Sequence, residues 1–211
     1  MKSFPETQKF LETNTNDALS NEINYLLGLG REAAKKITEI ISNVFIKTQT
    51  IIKGVIPAEK VRIQTLLDGF QKAAKEKGIT NIYIDSDITG WFPNEKVSKT
   101  TAGDSRLLRF VKDITHANII SNAKQLNAYQ EYDLSDAILR ATALVTAGEL
   151  DEKNNRGIII YLTNRKNDVP CRLLVWRVDG GQLVLHVRRV ALDNKWHAGD
   201  GVLVSNEHLG E

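Results

Sequence analysis

Apolar residues recur at steps of three and four through Leu19, Ile23, Leu26, Leu27, Ala33, Ala34, Ile37, Ile40, Ile41, Val44, Phe45, Ile51 and Ile52. That spacing draws one stripe along a helix and predicts helical structure over residues 16–53. Gly28 and Gly30 weaken or split it, each costing about 1 kcal/mol against alanine in a helix interior, and Gly54 ends it. Pro57 stands where a second helix can begin. Over residues 58–77 that helix carries Val61, Leu66, Leu67, Phe70 and Ala74 on one side, and it closes on Lys75, Lys77 and Gly78, the expected C-terminal signals.

Residues 79–84 form the first strand candidate, and residues 90–101 read as a loop because of Gly90, Pro93 and the polar run after them. Asp104 or Ser105 is placed to cap a third helix through Leu107, Leu108, Val111 and Ile114, continuing past Ile119, Ala123 and Leu126. A fourth helix is expected over residues 135–147 with Gly148 as its stop. Thr142, Val145 and Thr146 leave a strand there as the alternative.

Beyond Asn155 the pattern changes. Residues 157–163 (GIIIYLT) are apolar on both sides, as in a strand with both faces covered. Residues 171–178 and 182–190 flank Asp179, Gly180 and Gly181, a hairpin signal. Residues 201–205 make the last strand. The joining segments are polar and too short for helical crossovers, which predicts antiparallel pairing. The expected fold is therefore α+β: a helical N-terminal half packed against a C-terminal antiparallel β-meander of about four strands. Its organisation is an amphipathic helical segment at 1–54 and an α+β domain at 55–211.

A hairpin loop of two or four residues would put Leu174, Trp176 and Val178 on a core face with Leu183, Leu185 and Val187. The opposite face would then hold Leu173, Val175 and Arg177 with Gln182, Val184, His186 and Arg188. Arg177, His186 and Arg188 are the candidate binding residues. Between Arg156 and Lys195 lie eight basic and three acidic residues, a local excess of five positive charges that includes six of the eleven arginines. With Tyr161 and Trp196 nearby, such a face suits single-stranded nucleic acid or an acidic protein surface; the plainer alternative is a solvated face that keeps a sheet edge soluble.

Charge over the whole chain adds little, since 28 basic residues stand against 26 acidic ones. Cys171 is the single cysteine, which excludes an intramolecular disulfide and a cysteine-rich zinc site. His116, His186, His197 and His208 show no HxxxH or HxH spacing, so neither a metal nor another cofactor is expected. No apolar run is long enough to span a bilayer, and the first residues lack the apolar core of a secretory signal. A soluble protein of a reducing cytoplasm is the expectation.

One motif carries candidate chemistry. The strand candidate at residues 79–84 ends in Asp85, Asp87 and Thr89, a DxDxT pattern that resembles the first motif of the haloacid dehalogenase-like phosphohydrolases. The stretch IIIYLTN resembles that family's second motif. The resemblance implies Asp85 as nucleophile, Asp87 as general acid and base, Thr163 as phosphate binder and magnesium as cofactor. The chain departs from the family after Thr163: a short loop replaces the returning helix, and Lys195 is followed by Asp200 alone instead of an acidic pair. The alternative is that Asp85 and Asp87 terminate the strand as exposed turn residues, where substitution by asparagine changes stability by less than about 1 kcal/mol. GxSxG and GxxxxGK[ST] motifs are absent. Within WHAGDG, turn chemistry explains Gly199, Asp200 and Gly201, His197 reads as a surface or packing histidine, and Cys171 as a buried thiol.

Taken together these readings favour a non-catalytic binding or assembly module that meets a protein partner, or a second copy of itself, through the N-terminal helix. The alternatives are a nucleic-acid-binding protein using the arginine-rich face and a magnesium-dependent phosphohydrolase using Asp85 and Asp87. A membrane partner is not expected.

Overall fold

The computed structural model describes residues 28, 30–32, 35, 39, 43–54, 62–92, 103–150, 156–178, 180–207 and 209. The chain forms two compact units, residues 1–40 and 41–211. In the first, the described positions are helical. The rest of the predicted stripe up to residue 42, and residues 58–61 of the second predicted helix, lie outside the described residues.

The predicted first helix does not extend to Lys53, because strand β1 occupies Phe45–Ile52. Its sequence, FIKTQTII, is dense in β-branched residues, which lose side-chain freedom in a helix and fit a pleated sheet. Helix α1 (Ile63–Glu76) follows and ends before Gly78, whose φ is +77°. Then come β2 (Ile82–Ile84) and the short α2 (Asp87–Trp91). The helix predicted from residue 104 is instead divided. Ser105–Phe110 form β3, Ile114–Thr115 form β4, and α3 spans His116–Gln125. Arg106, Leu107 and Leu108 are consecutive and all buried, as in a strand covered on both faces.

Helix α4 (Leu134–Ala147) matches its prediction. Asp133 caps it by accepting the Asp136 N–H at 2.8 Å, and Gly148 closes it in the left-handed conformation. The remaining elements are β5 (Gly157–Lys166), β6 (Val169–Arg177), β7 (Leu183–Arg189), β8 (Lys195–Trp196) and β9 (Gly201–Ser205).

The fold is α+β, but the four-stranded antiparallel meander is overturned. The main sheet has seven strands in the order β1-β3-β9-β5-β6-β7-β2, and β4 and β8 make a separate two-stranded sheet. Pairing is mixed: β2 runs parallel to β7 and β9 parallel to β5, while the other neighbours are antiparallel. The last strand does not simply follow β7. Residues 190–200 carry the chain across β6 and β5 before β9 enters between β3 and β5. Crossing three strand spacings covers about 15 Å and returning along a five-residue strand about 17 Å, whereas eleven extended residues reach about 36 Å. A crossover needs that reach, not a helix.

One face of the sheet lies under α1 and α4. Leu66, Phe70 and Ala74 of α1, with Ile138, Ala141 and Leu144 of α4, share a core with Leu107, Ile160, Leu173, Leu185 and Leu203. Within it Arg140, 1% exposed, pairs with Asp136 at 2.9 Å and donates to Ser105 Oγ at 2.6 Å and Gly103 O at 2.9 Å. Among the described residues no helix is long and apolar enough to cross a membrane.

Candidate binding site on the second sheet face

The β6–β7 hairpin sets this face, and its register differs from the even-loop expectation. Trp176 lies opposite Val184, Leu174 opposite His186, and Arg172 opposite Arg188. Val178 N–H donates to Gln182 O at 2.9 Å, so three residues, 179–181, turn the hairpin. An odd loop reverses which residues share a face. Gly180 and Gly181, at φ +85° and +78°, supply the left-handed conformations the turn requires. Arg177 therefore falls on the helix-covered face with Leu183, and its Nε donates to Gly181 O at 3.3 Å. Trp176, expected in the core, faces the other way with His186 and Arg188.

Strand β2 adds Tyr83 and Asp85 to the same face, because Tyr83 pairs with Val184. Here the structure joins residues from two separate sequence readings. Asp85 is 5% exposed. Its Oδ1 accepts the Asp87 N–H at 3.0 Å, and its Oδ2 receives Arg188 Nη1. Arg188 also lies 3.4 Å from Asp87 Oδ2. His186 Nδ1 sits 3.3 Å from Asp85 Oδ2 without an aligned hydrogen bond. The His186 ring stacks on Trp176, with centroids 4.7 Å apart and planes 22° apart, and Tyr83 lies 5.6 Å away on it. Burial, and then the Arg188 charge, push the His186 pKa below its ordinary value, favouring the neutral ring.

Asp85 is thus a buried brace and not an exposed turn residue. Thr163, on β5, is separated from β2 by β6 and β7, a lateral distance of about 14 Å. Its hydroxyl donates to Tyr132 O at 3.4 Å. The two motifs of the phosphohydrolase resemblance are therefore not brought together. Among the described residues, no three His, Cys, Asp or Glu side chains are grouped to hold a metal ion.

A second polar group braces the β5 side. His116, the fully buried first residue of α3, has Nδ1 2.8 Å from Tyr161 Oη. Its Nε2 accepts the Trp196 indole N–H at 2.9 Å. Burial pushes its pKa down to about 3, the neutral form that this acceptor role requires. The Arg172 guanidinium lies 5.4 Å from the Trp196 ring centre and donates to Arg189 O at 2.7 Å.

Between these two groups is an open groove of about 360 Å³, lined by Gly157, Leu174, Trp176, Val178, Trp196 and Asp200. Trp176 arrives on β6, and Trp196 on the crossover that carries the chain to β9. Gly157 keeps the floor low: a Cβ there would lie 3.3 Å from the Trp196 ring and 3.4 Å from Leu174. Asp200 is the ionisable group in the lining. Its two oxygens accept the Gly157 N–H at 2.8 Å and the His197 N–H at 2.9 Å. Sequence reasoning missed this groove. An even loop places Trp176 in the core, and nothing local signals that Trp196 returns over β5.

Two of the eight local basic residues meet carboxylates from outside their own segment. Arg165 pairs with Glu131 at 2.8 Å, and Arg188 pairs with Asp85 and Asp87. His197 lies apart, 73% exposed beside Asp113. Cys171 is buried, and burial raises its thiol pKa. No family model, curated protein or solved structure matches this chain.

Proposed function

We propose that this chain is a non-catalytic binding module that takes a ring-sized apolar group into the groove between Trp176 and Trp196. The observation that carries this reading is the groove itself: two half-buried indoles facing one space of about 360 Å³, within the range of small-ligand sites. Its neighbours favour binding over catalysis. Asp85 and Arg188 are engaged with one another, His116 is held neutral between Tyr161 and Trp196, and the Asp200 oxygens accept backbone N–H groups. The phosphohydrolase reading loses support from the separation of Asp85 and Thr163. The nucleic-acid reading loses support from Arg177 and Arg188, whose guanidinium groups have partners within the chain. Assembly through the N-terminal stripe rests on residues mostly outside the described ones. The lone buried thiol of Cys171 accords with a reducing cytoplasm.

Indole itself is the first probe. The three tryptophans give three indole N–H resonances in a ¹⁵N-labelled sample. Titration should shift those of Trp176 and Trp196 and leave Trp91 unmoved, with a Kd near 1 mM, about 4 kcal/mol. Trp176→Ala should weaken it about tenfold. An unchanged spectrum at about 10 mM indole would remove this reading.

A further inference from the structure

We infer that the ring seated in the groove donates an N–H to Asp200: the ligand is a nitrogen heterocycle of one or two fused rings, read by an acceptor in the groove floor. The inference rests on the binding reading above and names the ligand class of that site.

The floor is open at Gly157, and an acceptor borders the opening. A Cβ built on Gly157 would stand 3.7 Å from Asp200 Oδ1, beside the Trp196 ring at 3.3 Å and a Leu174 methyl at 3.4 Å. The absent side chain therefore leaves one carboxylate oxygen facing the same space as the indole and the leucine. Asp200 is 7% exposed and makes no ion pair among the described residues. Its Oδ1 accepts the Gly157 N–H and its Oδ2 the His197 N–H. A carboxylate offers about four lone-pair sites, so Oδ1 keeps acceptor capacity beside the groove. A further donor stabilises such a group, because it replaces water that burial has removed.

The rest of the lining fixes the other properties of the ligand. Gly157, Leu174, Trp176, Val178 and Trp196 carry no charge, so an anion finds no cationic side chain there. The Trp196 N–H is already donated to His116 Nε2 at 2.9 Å, which leaves the acid to orient a ligand. The two indoles offer flat apolar walls to the faces of a ring, while Oδ1 meets its edge. An edge carrying only an oxygen or an unprotonated nitrogen would set lone pair against lone pair. A site built around a buried acceptor discriminates against such an analogue, because the acceptor is then left unpaired.

The test compares probes of nearly one shape on the full ¹⁵N-labelled chain: indole, benzofuran, in which oxygen replaces the N–H, and 1-methylindole, in which a methyl group blocks it. Titration of the Trp176 and Trp196 signals should show indole binding about tenfold tighter than either, as the loss of a hydrogen bond to a charged acceptor implies. 1-Methylindole has the larger apolar area, so burial alone would make it the tighter ligand. Asp200→Asn should reduce the preference for indole over benzofuran to about threefold, since a neutral amide oxygen is the weaker acceptor. Should that variant lose its dispersed spectrum, Gly157→Ala carries the test: its methyl group holds the ring off Oδ1 with Asp200 intact and should abolish the preference. Equal affinities for indole and benzofuran in the parent chain would overturn the inference, as would an undiminished preference in Asp200→Asn or Gly157→Ala, and in either case groove binding would still stand. If no probe moves Trp176 and Trp196, the binding reading falls and this inference falls with it.

Discussion

Asp85→Asn isolates the brace that joins β2 to β7. Asparagine keeps an oxygen for the Asp87 N–H, so the substitution removes the charge that meets Arg188 and little else. Breaking a fully buried ion pair costs about 3–5 kcal/mol, and an exposed pair is worth about 0–1 kcal/mol. Here the Asp85 side chain is 6% exposed and that of Arg188 41%. Arg188 also retains Asp87 at 3.4 Å. An intermediate loss of about 2 kcal/mol follows, discounted for the solvent that reaches Arg188. With a urea dependence of about 2 kcal/mol per M, the unfolding midpoint should fall by about 1 M. Asp87→Asn should shift it by less than about 0.25 M, because Asp87 is 40% exposed and stands farther from Arg188. Trp176 fluorescence is a suitable signal, since that indole stacks on His186 beside Asp85. Equal shifts for the two asparagine variants, or a shift below about 0.25 M for Asp85→Asn, would refute the brace and return both aspartates to the exposed turn that the sequence suggested.

Arg140→Met should destabilise the sheet unit by about 3–5 kcal/mol in urea, because it leaves the buried Asp136 without this partner. Adding Asp136→Leu should recover a large part of the loss, and an additive double variant would contradict the pairing. Acid should also weaken the fold through His116. With a folded pKa of about 3 against an ordinary 6.5, its contribution is full above about pH 6.5 and falls by roughly 1.4 kcal/mol per pH unit towards 3. Urea midpoints measured from pH 7.5 to 4.5 should show a shallower slope for His116→Gln than for the parent, the residue of that slope reflecting His186, which burial also holds low. Parallel slopes would show that His116 is not held neutral.

Local chemistry was enough to read several elements. Helix α4 carries its own signals, an aspartate cap and a terminal glycine, and both act within a few residues of the helix they bound. The apolar face of α1 and the strands at residues 157–163, 171–178 and 182–190 follow from periodicities that depend on the backbone alone. Where two periodicities coincided, sequence misled. Residues 45–52 and 105–110 place apolar groups at helical steps, yet pairing with β3 and β9 makes both of them strands, because sheet contacts outweigh local preference. The second sheet face depended on a still finer matter. One residue more or less in the 179–181 turn decides whether Trp176 or Arg177 stands beside His186, since side chains alternate with a period of two. Asp85 meets Arg188 across more than a hundred residues, and Trp196 reaches Gly157 because the chain crosses β6 and β5 before β9. Such contacts are set by the order of strands in the sheet, a property of long-range pairing that no short stretch of sequence encodes.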